Sequence, residues 1–341
     1  MRKDMLKGFL SLLCMLTLIL DGKTALSGAA EGIGLCLQTI IPSLFPFFVL
    51  SSLMTNAFFR CSSLLRPLGK LCKIPNGAEP LLISGFLGGY PVGAQNVAQF
   101  YRDKLLCKTD AQRLLAFCNN AGPAFIFGIL GPQFSEAWMV WMLWGIHVAG
   151  ALLASRFFPV EENSIQPTIV SPVPLTAALY SALRTTGIVC GWVILFRVLI
   201  AFLKRWFLWY LPDAAQIALI GILELANGCC ELTHVDSQSV RFVLCSGLLS
   251  LGGCCVAMQT MAVTDGLSLR CYAIGKMLQT LFSLLFSVLV VTGHGYLLPL
   301  LTGGIVFLSG KAEKRVAITR RLVYNKVRFS LEEPPCCFVK K

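Results

Sequence analysis

Charge is scarce in this chain. Asp, Glu, Lys and Arg make up only 13% of its 341 residues, where soluble domains carry roughly 25%. A chain so poor in charge cannot clothe an aqueous surface. Histidine is scarcer still. The three histidines, His147, His234 and His294, lie far apart and form no H-E-x-x-H pattern. There is no G-x-S-x-G elbow, no pair of catalytic carboxylates and no Gly-Lys-Ser/Thr phosphate loop. Cysteine is abundant, at fifteen, yet no C-x-x-C occurs. The pairs Cys229-Cys230, Cys254-Cys255 and Cys336-Cys337 are adjacent, which is poor geometry for a bridge and unlike zinc spacing. Most of the others sit in apolar runs, where a thiol behaves as a small hydrophobe. An enzymatic reading has no anchor here, and we expect no metal and no cofactor.

What remains is hydrophobic: 56% of the residues, with a mean hydropathy of +0.72. Apolar runs near the length needed to cross ~30 Å of hydrocarbon recur along the chain. The short alternating segments of a membrane barrel are missing. The expected fold is all-α and polytopic. Full spans are expected at 6–20, 137–158, 175–204 and 272–292, and a shorter one at 296–309. A small-residue stretch, 25–38, leads into an apolar run, 39–59, that Pro42 and Pro46 should kink. The apolar runs 81–100, 114–130 and 242–263 are broken, by Gly88-Gly89-Tyr90-Pro91-Val92-Gly93, by Asn119-Asn120-Ala121-Gly122-Pro123 and by Gly252-Gly253. The run 214–230 holds Glu224, Asn227 and Gly228. Ala25-Leu26-Ser27 resembles a signal cleavage site, but the helical pattern resumes at once, so an uncleaved first span is expected.

The net charge is +12, and the stretch 311–341, with nine Lys/Arg and three Glu, supplies half of it. Basic clusters beside spans stay in the cytoplasm. The tail should meet anionic lipid rather than nucleic acid. The polar, proline-rich segment 159–174 is the natural midpoint. The organisation is then an N-terminal span (1–24), a first repeat (25–158), a linker (159–174), a second repeat with the last spans (175–310) and a basic cytoplasmic tail (311–341). Short echoes support the repeat: Leu82-Ile83-Ser84-Gly85 with Leu219-Ile220-Gly221, and Leu115-Ala116-Phe117-Cys118 with Val243-Leu244-Cys245. Glu31 and Arg184 fall at equivalent places in this alignment and are expected at an interface.

Broken helices at membrane depth survive only where protein or a watery cavity satisfies their backbone. Interrupted segments at matching places in two halves point to a transporter's binding site. The candidate solute contacts are Asn119, Asn120, Gly122, Pro123, Tyr90, Pro91, Gly93 and Gln95 in the first half, and Asn227, Gly252 and Gly253 in the second. Asn119 and Asn120 offer donors and acceptors without fixed charge; their other reading is helix–helix packing. The glycines at 88–93 also fit a tightly packed re-entrant hairpin. Glu224, a carboxylate in an apolar run with Asn227 one turn later, is the candidate for a coupling proton or sodium ion. Its other reading is a pair with Arg197. His147 is expected to bond a neighbouring helix.

The strings G-Y-P-V-G-A (Gly89–Ala94) and F-C-N-N-A-G-P (Phe117–Pro123) resemble the YlbJ-type sporulation integral membrane proteins. That family carries two nucleoside-recognition Gate domains, related to parts of concentrative nucleoside transporters. The likeness spans roughly residues 25 to 310 and is weaker in the second half. It implies two Gate-like repeats of spanning and interrupted, re-entrant helices; whether the broken segments span or re-enter decides whether the repeats are inverted. It further implies a multi-pass bacterial membrane protein, around the developing spore, that transports a small polar or anionic solute, dipicolinate first. A nucleoside carrier of the same architecture and a non-transporting spore-membrane scaffold are the alternatives.

Overall fold

A computed structural model describes residues 2–60, 62–158 and 173–310, with side chains left out for 2–4, 55–60, 62 and 63. The basic tail, and the linker except for its last two residues, lie outside the described residues. The chain divides into two compact units, Met1–Gly295 and Tyr296–Lys341. In the second unit residues 298–310 are helical. The first unit is built from fifteen α-helices with short 3-10 and π turns between some of them, and contains no strand among the described residues.

Helix α1 (Arg2–Leu20) stops at Asp21, whose carboxylate accepts a hydrogen bond from the Thr24 amide and so caps α2 (Gly22–Leu35). Proline does not divide the next segment. A π turn, Cys36–Ile40, carries α2 directly into α3 (Ile41–Arg60), with Pro46 inside the helix. The amphipathic α4 (Ser62–Cys72) follows. Then come α5 (Glu79–Gly88) and α6 (Val92–Arg102), α7 (Lys108–Leu115) and α8 (Pro123–Phe125), and the unbroken α9 (Ala137–Ser155).

After the linker the same order of parts returns. A long helix, α10 (Leu175–Trp206), precedes a broken pair, α11 (Asp213–Leu223) and α12 (Leu225–Glu231). A second broken pair, α13 (Gln238–Leu251) and α14 (Gly253–Val263), leads to the unbroken α15 (Arg270–Val291). The run 214–230 is thus not one helix. Glu224 sits between α11 and α12 in an extended conformation (φ −144°, ψ 118°), so Asn227 is not its neighbour on a helix face but a residue of the turn it caps.

Small residues bring the helices together. Gly28 and Gly32, four apart on α2, lie against the backbone of α10 at Val198 and Ile194, the close approach that a Gly-x-x-x-Gly spacing permits. Gly150 of α9 packs on Gln279 and Ser283 of α15, and Gly275 of α15 on Ala116.

Five helical segments among the described residues are long and apolar enough to cross a membrane. Helix α15 gives the physical reason for placing them there. Its inward face carries Lys276, Gln279, Ser283 and Ser287, all buried, while Ile274, Met277, Leu281 and Leu285 are exposed. Water would reverse that arrangement; hydrocarbon as the outer solvent explains it. The protein is an all-α, polytopic membrane protein.

Candidate functional site

Each half bends its short broken hairpin at a glycine neck. In the first half Gly93 lies against the Cα of Gly85, and the Cys118 carbonyl is wedged on both, so that a methyl group at either position would overlap it. In the second half Gly228 lies directly against the backbone of Gly221, so that a methyl group on Gly228 would overlap it. The hairpin tips then meet the breaks of the longer segments. Gly89, at φ +77°, sits on Gly122. Gly253 sits on the carbonyls of Gly221 and Ile222. Gly252 and Gly253 both have φ near +77° (76° and 77°), a region that a side chain rarely tolerates.

The first-half breaks are held by side chains. Asn119 accepts from the Ala94 amide (3.3 Å) and donates to Thr260 Oγ1 (2.8 Å), tying α6 to α14. Asn120 donates to the Phe117 carbonyl (2.7 Å). The Ala121 amide donates to His147 Nε2 (3.0 Å). That bond makes Nε2 the acceptor and leaves Nδ1 to face Ser250 Oγ at 3.3 Å. Tyr90 Oη donates across to the Leu249 carbonyl of α13 (3.2 Å).

Lys276, only 2% exposed, reaches this cluster from α15. Its Nζ bonds Tyr90 Oη (3.0 Å), Asn120 Oδ1 (3.2 Å) and Gln279 Oε1 (2.8 Å), and stands 4.9 Å from the centre of the Tyr90 ring. Each of these partners is fixed as an acceptor by its other bond. Tyr90 spends its proton on Leu249, Asn120 its amide on Phe117, and Gln279 its amide on the His147 carbonyl at 3.0 Å. Three acceptors around one nitrogen match the three donors of an ammonium.

The second half contributes a carboxylate. Glu224, 3% exposed, caps α12: it accepts from the amides of Ala226 (3.1 Å) and Asn227 (2.6 Å) and from Asn227 Nδ2 (2.6 Å). Arg197 does not bond Glu224. It donates to Asn227 Oδ1 (2.8 Å) and pairs with Glu31 at the outer edge of α2. Glu31 thus joins α2 to α10, and Arg184 is exposed.

Between the two sets of breaks lies a cavity of about 40 Å³, room for about three water molecules. Gly89, Tyr90, Ala121 and Gly122 line it from the first half, and Glu224, Leu225, Ala226 and Gln259 from the second. Of the expected contacts, Tyr90, Gly122 and Glu224 line it. Asn120 stands behind Ala121, and Gly252 touches Tyr90. Others are engaged elsewhere. Gln95 bonds Ser181 and Thr185 of α10, Gly93 is a neck residue, and Pro91 precedes α6 as its cap. Asn227 stands behind Glu224, and Pro123 lines a separate apolar groove with Pro42 and Trp144. Among the described residues no three His, Cys, Asp or Glu side chains cluster as metal ligands do.

Lys276, Gln279 and Gln259 escaped the sequence reading. The rule that singled out Glu224, an ionisable group inside an apolar run, applies equally to Lys276. It lies near the expected start of its span, where a lysine can snorkel to the interface, and that position hid it.

The chain is 25% identical over 323 residues, covering 80% of this chain and 79% of the relative, to the sporulation integral membrane protein YlbJ of Bacillus subtilis (strain 168). No family model matches the chain, and no solved structure matches it significantly. With its apolar spanning helices, the similarity marks a multi-pass bacterial membrane protein.

Proposed function

We propose that this protein is a sporulation-associated carrier of a small polar or anionic solute, with dipicolinate the first candidate. The observation that supports it is the meeting of both halves' interrupted helices around one cavity that holds a buried carboxylate, with a buried lysine directly behind its wall. A buried ion costs several kcal/mol after relaxation. Two such groups beside one cavity, Glu224 and Lys276, favour a solute site over a scaffold. The relative's role in sporulation extends this reading to a membrane around the forespore.

On this reading the hairpin tips, Gly89-Tyr90 and Leu223-Glu224, part to admit the solute, since a cavity of about 40 Å³ holds little more than water. Repeats rocking about a fixed midplane site give alternating access. Glu224 takes the coupling proton or sodium ion. The basic tail meets anionic lipid, no nucleic acid is a partner, and the protein carries out no covalent chemistry and needs no cofactor.

The test is uptake of labelled dipicolinate into liposomes holding the purified protein, with uridine as competitor. Saturable uptake that uridine spares is the expected result. Competition by uridine would turn the reading to a nucleoside carrier of the same architecture. Folded protein that takes up neither solute would contradict transport and favour the scaffold.

A further inference from the structure

We infer that Lys276 is the charge-recognition residue of the carrier site, and that its ligand is the carboxylate of a small organic acid, which replaces Tyr90 on the ammonium. The inference deepens the carrier reading and takes its purpose from it.

Tyr90 Oη, Asn120 Oδ1 and Gln279 Oε1 each spend a donor elsewhere and turn an acceptor to the nitrogen, a setting that suits the three donors of an ammonium, and we take Lys276 in that form. Among the described residues no carboxylate bonds this ammonium; its partners are a phenol and two amides. A buried cation is ordinarily paired with a counter-charge. Here that charge is missing among the described side chains, and a methionine at 276 would fill the space without the cost of desolvating an ion. A bound anion supplies what the fold omits.

The three acceptors are not equivalent. Gln279 lies one turn along α15 and is anchored to the His147 carbonyl. Asn120 is anchored within its own break. Tyr90 belongs to the tip of a hairpin and is the one that lines the cavity. It is therefore the partner a solute in the cavity can displace. A carboxylate oxygen in place of Oη exchanges a hydrogen bond to a neutral acceptor for one in which donor and acceptor are both ionised, adding the attraction of opposite charges. The Tyr90 ring beside the ammonium and Phe125 in the same wall favour an acid with a flat apolar body. A phosphate ester is less suited, because bidentate recognition by arginine is absent around the cavity.

Equilibrium binding to the full-length protein in detergent tests this without requiring transport. The probes are labelled dipicolinate and, as competitor, its uncharged diamide. The wild type should bind the dianion saturably and the diamide should compete poorly. Lys276→Gln should weaken binding about tenfold to a hundredfold, while Lys276→Arg, which keeps the charge, should restore most of it. Tyr90→Phe should bind as tightly as the wild type or more tightly, because the acceptor that competes for the ammonium is gone. A thermal-unfolding scan of each variant separates lost binding from lost fold; should Lys276→Gln fail to fold, the diamide and Tyr90→Phe decide. Equal binding by Lys276→Gln, a diamide that competes as well as the dianion, a Tyr90→Phe that loses binding, or a wild type that binds no dicarboxylate would each overturn the inference. Binding without uptake into liposomes would instead contradict transport and leave the anion site standing.

Discussion

The two halves set out a similar order of helices and breaks but hold the breaks by different chemistry. Both fold a hairpin about a glycine neck, Gly85 on Gly93 and Gly221 on Gly228, and both set its tip against a broken longer segment. The first half then satisfies its loose backbone with side chains: Asn119, Asn120 and His147, with Lys276 brought in from the last span of the other half. The second half uses one carboxylate as a helix cap and two glycines at positive φ. Shape can be repeated with few shared residues, because backbone contact at the necks demands only the absence of a side chain. What is left unrepeated is the ionisable side chain: a buried lysine behind one wall of the cavity and a buried glutamate on the other.

The largest effect should come from the necks. Gly85→Ala and Gly228→Ala each drive a methyl group into backbone that no rotamer change can clear. Both should abolish the monodisperse peak in size-exclusion chromatography. Gly34→Ala and Gly187→Ala, which meet open space, should leave it intact. A neck in one half that tolerates alanine would break the comparison.

Next in size is the asparagine pair. Asn119→Ala with Asn120→Ala strands the Ala94 amide and removes an acceptor from Lys276, at about 1–3 kcal/mol for each buried group left unpaired. We expect protein that still inserts but takes up no solute into liposomes. Asn227→Ala, its second-half counterpart, removes one of three donors to Glu224 and should slow uptake without ending it.

Glu224→Gln sharpens the contrast in charge. An amide oxygen can still cap α12, so thermal stability should fall by only about 1 kcal/mol. Dependence of uptake on a proton or sodium gradient should disappear; a variant that keeps it would remove Glu224 from coupling. The smallest effect belongs to Glu31→Gln, which loses an edge ion pair with Arg197. A change of less than about 1 kcal/mol is expected by thermal unfolding.

The sequence revealed the helices and most of their breaks, since apolar length and the Gly-Pro and Gly-Gly interruptions are local signals. It also named Tyr90 and Glu224, both of which line the cavity. It missed the break at Glu224 itself, because nothing around Leu223-Glu224-Leu225 departs from helix propensity, and the cap bonds that pay for the turn form only with Ala226 and Asn227 in place. Pro42 and Pro46 lie within a continuous helix that follows the π turn at Cys36–Ile40. The sequence reading took Gln95 for a solute contact, although its partners on α10 are some ninety residues away and invisible to spacing. The Lys276 cluster joins residues 90, 120, 276 and 279, and only the fold assembles it.

The central claim is that both halves line one solute site. Single cysteines at Ala121→Cys and Ala226→Cys, in a background cleared of native cysteines, place a reporter on each side of the cavity. Their rate of labelling by a membrane-permeant maleimide is measured with and without dipicolinate. The account predicts that the solute slows labelling at both positions over the same concentration range. Protection of one position alone, or of neither, would contradict it.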